Sequence, residues 1–354
     1  MKVLKFGGTS VGSAQRMKEV AKLITDGERK IVVLSAMSGT TNTLVEISDY
    51  LYKKNPEGAN EIINKLESKY RQHIDELFAT PEYKQKGLEL IKSHFDYIRS
   101  YTKDLFTLFE EKVVLAQGEL ISTAMMNYYL QECGVKSVLL PALEYMRTDK
   151  NAEPDPVYIK DKLQVQLELH PDAEIYITQG YICRNAYGEI DNLQRGGSDY
   201  TASLIGAAIN ASEIQIWTDI DGMHNNDPRI VDKTAPVRHL HFEEAAELAY
   251  FGAKILHPTC IQPAKYANIP VRLLNTMDPT APGTLISNDT EKGKIKAVAA
   301  KDNITAIKIK SSRMLLAHGF LRKVFEIFES YQTSIDMICT SEVGVSVSID
   351  NVKH

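Results

Sequence analysis

This chain lacks the nucleotide-binding motifs that are easiest to recognise in a sequence. It contains no G-x-x-x-x-G-K-[ST] loop, no G-x-G-x-x-G turn, and neither the H-R-D nor the D-F-G segment of a protein kinase. No apolar run approaches the length of a membrane span. A nucleotide site in this chain must therefore use glycines in another arrangement.

Cysteine is scarce and widely spaced. The four cysteines are Cys133, Cys183, Cys260 and Cys339, and no two of them form a C-x-x-C pair. This spacing indicates neither a zinc site nor a disulfide scaffold, and we predict no metal site. Each cysteine lies in or beside an apolar stretch, so we expect buried free thiols. Because the N-terminus enters a strand without a signal-peptide pattern, we expect a cytoplasmic protein.

An excess of basic charge is also lacking. The 354 residues include 41 Lys and Arg against 46 Asp and Glu, giving a net charge of −5. This balance predicts no nucleic-acid partner and no membrane partner. The length exceeds that of one ordinary core, so two domains are expected.

Alternating β and α patterns predict a largely parallel sheet sandwiched by helices over residues 1–286. Residues 59–111 interrupt the alternation with two long polar helices, the second predicted to run through Leu108. We interpret this pair as a structural helical hairpin insertion. A further helix is predicted to begin near Gly118.

A second, smaller unit is expected after a polar linker at 287–294. Residues 295–354 read as strand, helix, strand, strand, the first two-thirds of a ferredoxin-like unit. We expect an unpaired strand edge there, a chain truncated relative to its natural protein, and regulation that is impaired or absent.

A paired-glycine turn near the N-terminus is the most informative motif. The apolar strand that carries Lys5 runs into Gly7 and Gly8, where backbone N–H groups can approach phosphate oxygens closely. A helical pattern follows, which suggests an anion site at a helix N-terminus. The alternative is a tight strand-to-helix turn with a solvated lysine.

Five further stretches place polar or charged residues at predicted element ends, where ligand sites of α/β proteins form. Three of their residues could have a structural role in a helix instead of binding a ligand. Glu119 could compensate a helix dipole, Asp199 could be an N-cap, and Lys254 could compensate the dipole at a helix C-terminus. The stretches cover residues 35–42, 117–122, 194–201, 217–229 and 251–258.

Taken together, these motifs resemble the aspartate kinases of the amino-acid-kinase superfamily. The resemblance rests on five motifs in the same order: KFGGTS at 5–10, RGGSD at 195–199, TD at 218–219, DPR at 227–229 and FGAKILHP at 251–258. It extends over the whole chain, including the start of an ACT regulatory domain at 295–354. Acetylglutamate and uridylate kinases share the sheet and glycine pairs but not the hairpin or the ACT unit.

The resemblance implies ATP-dependent phosphorylation of the L-aspartate side-chain carboxylate to 4-phospho-L-aspartate, the first step of lysine, threonine and methionine biosynthesis. ATP is the implied donor, with Mg²⁺ bound through the nucleotide. The acceptor carboxylate is already ionised at pH 7, so the site must supply cations and N–H donors rather than a general base. A homodimer or higher homo-oligomer is also implied.

Residue roles carry over by the same resemblance. His224 stands where many relatives have tyrosine. Arg195 is assigned to the α-carboxylate of aspartate and Glu119 to its α-ammonium. The implied catalytic residues are Lys5, Gly7, Gly8 and Asp199. The implied aspartate contacts are Ser35, Thr41, Glu119, Arg195 and Ser198. The implied nucleotide contacts are Lys5, Gly7, Gly8, Thr218, Asp219, His224, Asp227, Arg229 and Lys254.

An amino-acid effector, lysine or threonine, is implied for the second unit. Residues 315–317 are Leu-Leu-Ala, where lysine-responsive relatives often have polar residues, which argues against lysine. The implied effector contacts are Met314, Ser334, Ile335, Asp336 and Thr340.

Two other functions stay open at this point. One is a kinase for another carboxylate such as N-acetylglutamate, which Glu119 disfavours because an acylated amine carries no charge. The other is a non-catalytic amino-acid sensor, which the intact Lys5, Arg195 and Asp199 disfavour.

Overall fold

The computed structural model describes residues 1–194, 196–251, 253, 256–289, 291, 293–312 and 317–350. The chain forms two compact units, Met1–Val298 and Ala299–His354. None of the described helices combines the length and apolar character needed to cross a membrane.

The first unit is built from twelve strands and ten α-helices among its described residues. The strands are β1 (Lys2–Phe6), β2 (Lys30–Leu34), β3 (Ser137–Leu140), β4 (Ile175–Gln179), β5 (Ile182–Arg184), β6 (Ile190–Asn192), β7 (Ile214–Thr218), β8 (Met223–His224), β9 (Pro236–Val237), β10 (His239–His241), β11 (Val271–Asn275) and β12 (Thr284–Ser287). The helices are α1 (Ala14–Ile24), α2 (Thr40–Tyr52), α3 (Pro56–Leu77), α4 (Pro81–Ser100), α5 (Leu108–Glu132), α6 (Ala142–Tyr145), α7 (Pro156–Glu168), α8 (Gly197–Ile209), α9 (Phe242–Tyr250) and α10 (Pro258–Tyr266).

Eight of these strands form one sheet in the order β10-β12-β11-β7-β1-β2-β4-β3. Every pair from β11 to β3 is parallel, whereas β12 runs antiparallel to β11. The central strands are mostly apolar, with alternate side chains entering the cores on opposite faces, because helices cover both faces. Leu4 and Val32 point into the core beneath α1–α5, and Val3 and Ile31 point into the core on the other face. The predicted parallel sheet with helices on both faces is confirmed.

The helical hairpin consists of α3 and α4, and its predicted C-terminal boundary is wrong. α4 ends at Ser100, and α5 begins at Leu108 behind a capping box made by Thr107 and Glu110. This cap stops the apolar periodicity from continuing as one helix, since it satisfies the orphan N–H groups of a new N-terminus. Leu108 is 60% exposed and contributes little to the core.

The helix expected near Gly118 therefore starts ten residues earlier than predicted. Glu119 lies in the middle of α5, far from the helix N-terminus. Its interpretation as dipole compensation is wrong, because that effect is confined to the first turn.

The second unit contains β13 (Ile304–Lys310), α11 (Phe320–Ser330), β14 (Met337–Ser341) and β15 (Gly344–Asp350). Its strands form an antiparallel sheet in the order β13-β15-β14. This is the predicted strand-helix-strand-strand order, and it is compatible with an ACT-like unit. The segment after β12 stays with the first unit as far as Val298, whose N–H donates to the carbonyl of Asn225.

The cysteines are only partly as expected. Cys183 and Cys260 are buried and free, but Cys133 and Cys339 are exposed. Cys133 is the C-cap of α5 at the surface, and Cys339 lies on β14, an edge strand whose five residues are all exposed. Being next to apolar residues is not enough to bury a side chain at a helix end or a sheet edge.

Candidate functional site

The carboxyl ends of β1, β2 and β7 lie side by side in the centre of the sheet. β1 pairs with β2 on one side and β7 on the other, so Lys5 lies beside Val33 and Ile216. Parallel strands direct their C-terminal loops to one edge. The glycine turn after β1, the loop after β2 and the loop after β7 therefore meet there.

The glycine turn packs tightly against the loop that follows β2. A Cβ on Gly8 would lie 3.0 Å from the carbonyl oxygen of Ala36, and the Gly8 carbonyl accepts a hydrogen bond from the N–H of Ser38 at 3.1 Å. A Cβ on Gly7 would lie 3.3 Å from Nζ of Lys5. Both glycines thus allow a close approach that a side chain would obstruct.

The helix after this turn does not begin at the turn itself. α1 starts at Ala14, and the Ser13 hydroxyl caps it by accepting from the N–H of Arg16. The helix predicted after the glycine turn is therefore present within one residue of its expected start, and the anion site expected there stays a prediction.

Lys5 is paired with Asp199. Their Nζ and Oδ1 atoms are 2.8 Å apart, and the two side chains are 12% and 17% exposed. The contact is an ion pair, and Oδ1 of Asp199 has no aligned hydrogen-bond donor among the described residues. The solvated-lysine alternative is wrong, since Lys5 is largely enclosed at the junction of β1 and α8.

The start of α8 explains why Asp199 is available to Lys5. The N-cap of α8 is Gly196 rather than Asp199, with φ 78°. A Cβ on Gly196 would lie 2.0 Å from Sγ of Cys260, so glycine is required both for the backbone angle and for the packing. Asp199 occupies the first helical turn, and its carboxylate points to Lys5 instead of capping the helix.

Serine hydroxyls join the ends of β2 and α8. Ser35 donates to the Ser198 hydroxyl at 2.9 Å, and Ser122 of α5 donates to the Ser35 carbonyl at 2.8 Å. A Cβ on Gly180, just after β4, would lie 2.3 Å from Ser198 Oγ. Sequence reasoning found Ser35 and Ser198, included Ser122 in the stretch at 117–122 without giving it a role, and missed Gly180. Gly180 carries the signal of a glycine that directly follows a buried strand.

Glu119 is a buried carboxylate with an incomplete set of partners. It is 4% exposed; its Oε1 accepts from the N–H of Ala36 at 3.4 Å, and Oε2 has no hydrogen-bond partner among the described residues. Loss of hydration raises the pKa of Glu119 to about 7, against the smaller lowering effect of its backbone hydrogen bonds. Such a group is well suited to receive a ligand cation.

The end of β7 is tied to the glycine turn through Thr276. The Thr218 carbonyl accepts from the N–H of Thr276 at 2.8 Å, and the Thr276 hydroxyl also lies 3.0 Å from that of Ser10. Asp219 follows and is exposed. Thr276, which sequence reasoning missed, therefore connects the two candidate phosphate-facing loops.

The remaining candidates in the nucleotide loop, His224, Asp227 and Arg229, already have partners within the chain. Arg229 makes a two-pronged contact with Asp227, with Nε to Oδ1 at 2.9 Å and Nη2 to Oδ2 at 2.5 Å. His224 Nδ1 lies 2.9 Å from the hydroxyl of Thr234. A phosphate that binds Arg229 would have to compete with the Asp227 carboxylate.

Other predicted residues fall elsewhere. Thr41 is half-buried in the first turn of α2, next to the loop after β2. In the second unit, Ser334 and Thr340 are exposed, whereas Ile335 and Asp336 are half-buried. Three predicted residues lie outside the described residues: Arg195, Lys254 and Met314.

This fold is shared with a known class of phosphotransferases. The amino acid kinase family model matches residues 1–275. Aspartokinase 1, chloroplastic, of Arabidopsis thaliana is 38% identical, with 99% of this chain and 63% of the relative covered. The lysine-sensitive aspartokinase 3 of Escherichia coli is 35% identical, with 98% and 78% covered.

A solved structure supports the same assignment. The crystal structure of E. coli aspartokinase III in complex with aspartate and ADP matches with a TM-score of 0.85 at 33% identity, covering 99% of this chain and 79% of that one. The chain therefore belongs to the amino acid kinase family and, within it, to the aspartokinases. It spans less than two thirds of the length of the Arabidopsis relative, 63%.

Proposed function

We propose that this chain transfers the γ-phosphoryl group of ATP to the side-chain carboxylate of L-aspartate, giving 4-phospho-L-aspartate. The observation that carries the proposal is that the segment at residues 35–36 contacts the surroundings of both charged groups. Ser35 bonds to Phe6 and Ser198, the sequence neighbours of the Lys5–Asp199 pair, and Ala36 donates to the buried Glu119. Such a site offers a cation for a phosphoryl group and an anion for an amino group. The E. coli aspartokinase III complex with aspartate and ADP supports this choice of ligands.

The chemistry follows from the charges of the reactants. A carboxylate oxygen of aspartate forms a bond to the γ-phosphorus, the bond from that phosphorus to the β,γ-bridging oxygen breaks, and ADP leaves with the electron pair. No proton has to be removed from the acceptor. The main barrier is the approach of two anions, so the Lys5 ammonium and the N–H groups of Gly7 and Gly8 are assigned to the transferring group.

The amino acid is recognised at its two charged ends. We assign its α-ammonium to Glu119, whose unpartnered Oε2 provides an uncompensated acceptor. By resemblance, Arg195 takes the α-carboxylate, and the hydroxyls of Ser35, Thr41 and Ser198 line the space between. Asp199 orients Lys5 through their ion pair.

The nucleotide is assigned to the loops after β7. The close packing of Gly8 fits a phosphate cradle. Among the described residues, no group of three or more His, Cys, Asp or Glu side chains could hold a metal ion. Mg²⁺ enters the proposal bound to the phosphates, where it would neutralise their charge. The proposed contacts are Thr218, Asp219, His224, Asp227, Arg229 and Lys254.

Regulation, assembly and location are finer parts of the proposal. E. coli aspartokinase III has also been crystallised in complex with lysine and aspartate. We therefore propose an amino-acid effector, lysine or threonine, at Met314, Ser334, Ile335, Asp336 and Thr340 of the second unit. A homo-oligomer and a cytoplasmic location are proposed from the sequence expectations alone.

One assay tests the proposed function and its alternatives. ADP release from Mg-ATP is measured with L-aspartate, with N-acetyl-L-glutamate and with no acceptor. We expect release that depends on aspartate. Release only with acetylglutamate would identify a different carboxylate kinase, and no acceptor-dependent release would favour a non-catalytic sensor.

A further inference from the structure

A buried hydroxyl of the helical hairpin contacts the start of α2, next to the proposed amino-acid site. Tyr70 of α3 is 1% exposed, and its hydroxyl lies 2.6 Å from Oγ1 of Thr40. Thr40 is the first residue of α2, directly before the candidate aspartate contact Thr41. The hairpin therefore supplies the partner of a side chain at the start of α2, in addition to its apolar core.

The start of α2 is packed closely against the part of α5 that carries Glu119. A Cβ on Gly118 would lie 2.8 Å from Cβ of Ala36 and 3.4 Å from Cγ2 of Thr40. Glu119, the next residue, accepts from the N–H of Ala36. A shift of Thr40 would therefore be felt by the loop after β2 and by Glu119, since the contact leaves no spare space.

The electrostatics are consistent with this proximity. Burial raises the pKa of the Tyr70 phenol well above its usual range, and the nearby Glu119 carboxylate raises it further. Tyr70 thus stays protonated at physiological pH and can act as a neutral hydrogen-bonding group beside a carboxylate.

The second helix of the hairpin holds α5 near the same point. Nδ1 of His94, on α4, lies 2.6 Å from Oε1 of Gln117, two residues before Glu119. Burial lowers the pKa of His94, which favours a neutral ring. Both helices of the hairpin therefore place a buried polar contact within a few residues of the proposed ammonium site.

We propose that Tyr70 is a positioning residue for the amino-acid substrate: through its hydrogen bond to Thr40 it fixes the start of α2, and with it Thr41 and the loop that binds Glu119. The inference rests on the proposed function. It assigns the hairpin a role in aspartate recognition beyond core packing, and Tyr70 need not touch the substrate.

Tyr70→Phe tests this by removing only the hydroxyl. Loss of one buried hydrogen bond is expected to raise KM for aspartate roughly 5- to 30-fold, with KM for ATP within about twofold. The matched control is Tyr145→Phe, another buried tyrosine, whose hydroxyl lies 2.5 Å from Thr178 in the core on the opposite face of the sheet. It should leave the KM for aspartate unchanged.

A second pair of variants keeps the test decisive if Tyr70→Phe does not fold. Thr40→Val removes the partner hydroxyl and should reproduce the selective rise in KM for aspartate. Thr40→Ser keeps a hydroxyl at this position and should leave KM for aspartate near the wild-type value. The double variant Tyr70→Phe/Thr40→Val should be no worse than either single variant. Equal changes in both KM values, or additive effects in the double variant, would overturn the inference. If the wild-type chain shows no aspartate-dependent ADP release, the proposed function fails instead.

Discussion

The two units of the chain bury their apolar side chains to very different extents. In the first, a parallel sheet lies between two cores, and its central strands are almost fully enclosed. In the described part of the second, the buried apolar side chains are Val324, Val345 and Val347. Ile327 and Met337 remain 59% and 60% exposed there.

This difference shows where a rigid site can be built. The strand ends of the first unit are held from both faces, so charged groups can be placed within a few ångströms of each other and kept from water. Exposed apolar surface of the kind found on the second unit is typical of an interaction surface rather than of a catalytic centre. The chemistry should therefore depend on the first unit alone.

The largest expected effect is that of Lys5→Ala. Removing one donor to the transferring phosphoryl should lower kcat roughly 10²- to 10³-fold, with little change in melting temperature. Lys112→Ala is the control, because Lys112 also forms a partly buried ion pair in the first unit, with Asp191 at 3.2 Å. A near-normal kcat for Lys5→Ala would remove Lys5 from the mechanism.

Glu119→Gln should separate the two substrates. Loss of the charged partner for the α-ammonium should raise KM for aspartate roughly 10- to 100-fold and leave KM for ATP nearly unchanged. Because burial raises the pKa of Glu119 to about 7, aspartate binding by the wild-type chain should weaken as the pH falls below that value. A loss of ATP affinity instead would make Glu119 a nucleotide or metal residue.

The same substitution should stabilise the unliganded protein at high pH. A carboxyl whose pKa is raised in the folded state binds more protons folded than unfolded between about 4.5 and about 7, so stability falls as the pH rises through that window. At pH 8 the ionised Glu119 lowers the free energy of unfolding of the wild-type chain by roughly 3 kcal/mol. Thermal melts of Glu119→Gln should therefore show a higher melting temperature at pH 8 and little difference at pH 4.5. Equal melting temperatures at pH 8 would indicate that the carboxylate is already compensated.

A smaller effect is expected for Arg229→Ala. This arginine is 65% exposed and already paired with Asp227, so its contribution to phosphate binding is reduced by solvent and by competition. ADP affinity, measured by titration calorimetry, should fall only roughly two- to fivefold. A loss of a hundredfold would mean that Arg229 leaves Asp227 and is enclosed when nucleotide binds.

The smallest effect should come from the second unit's exposed strand. Met337→Ala on β14 should change the free energy of unfolding by less than about 0.5 kcal/mol and leave kcat unchanged. The matched change in the first unit is Met17→Ala, at a side chain that is 0% exposed, which should cost about 2–5 kcal/mol. If chemical denaturation gave similar losses of unfolding free energy for the two variants, the difference in burial between the units would be contradicted.

The sequence predicts the sheet, the hairpin and most of the strand-end motifs, because each depends on local periodicity or on glycine next to a strand. It misplaces the start of α5, since apolar residues continue through the Thr107 cap without a break in their pattern. It also misses the Tyr70–Thr40 contact, which joins residues 30 positions apart. Hydroxyl pairs of this kind leave no periodic signal and depend on how helices pack.

The most direct test of the central claim is ³¹P NMR of the reaction between Mg-ATP and L-aspartate. We predict an acyl-phosphate signal that grows with ADP in equal amounts for the wild-type chain and is nearly abolished in folded Lys5→Ala. ADP and inorganic phosphate without an acyl phosphate, or an equal initial rate of acyl-phosphate formation by Lys5→Ala, would contradict the assignment of this sheet edge as an aspartate kinase site.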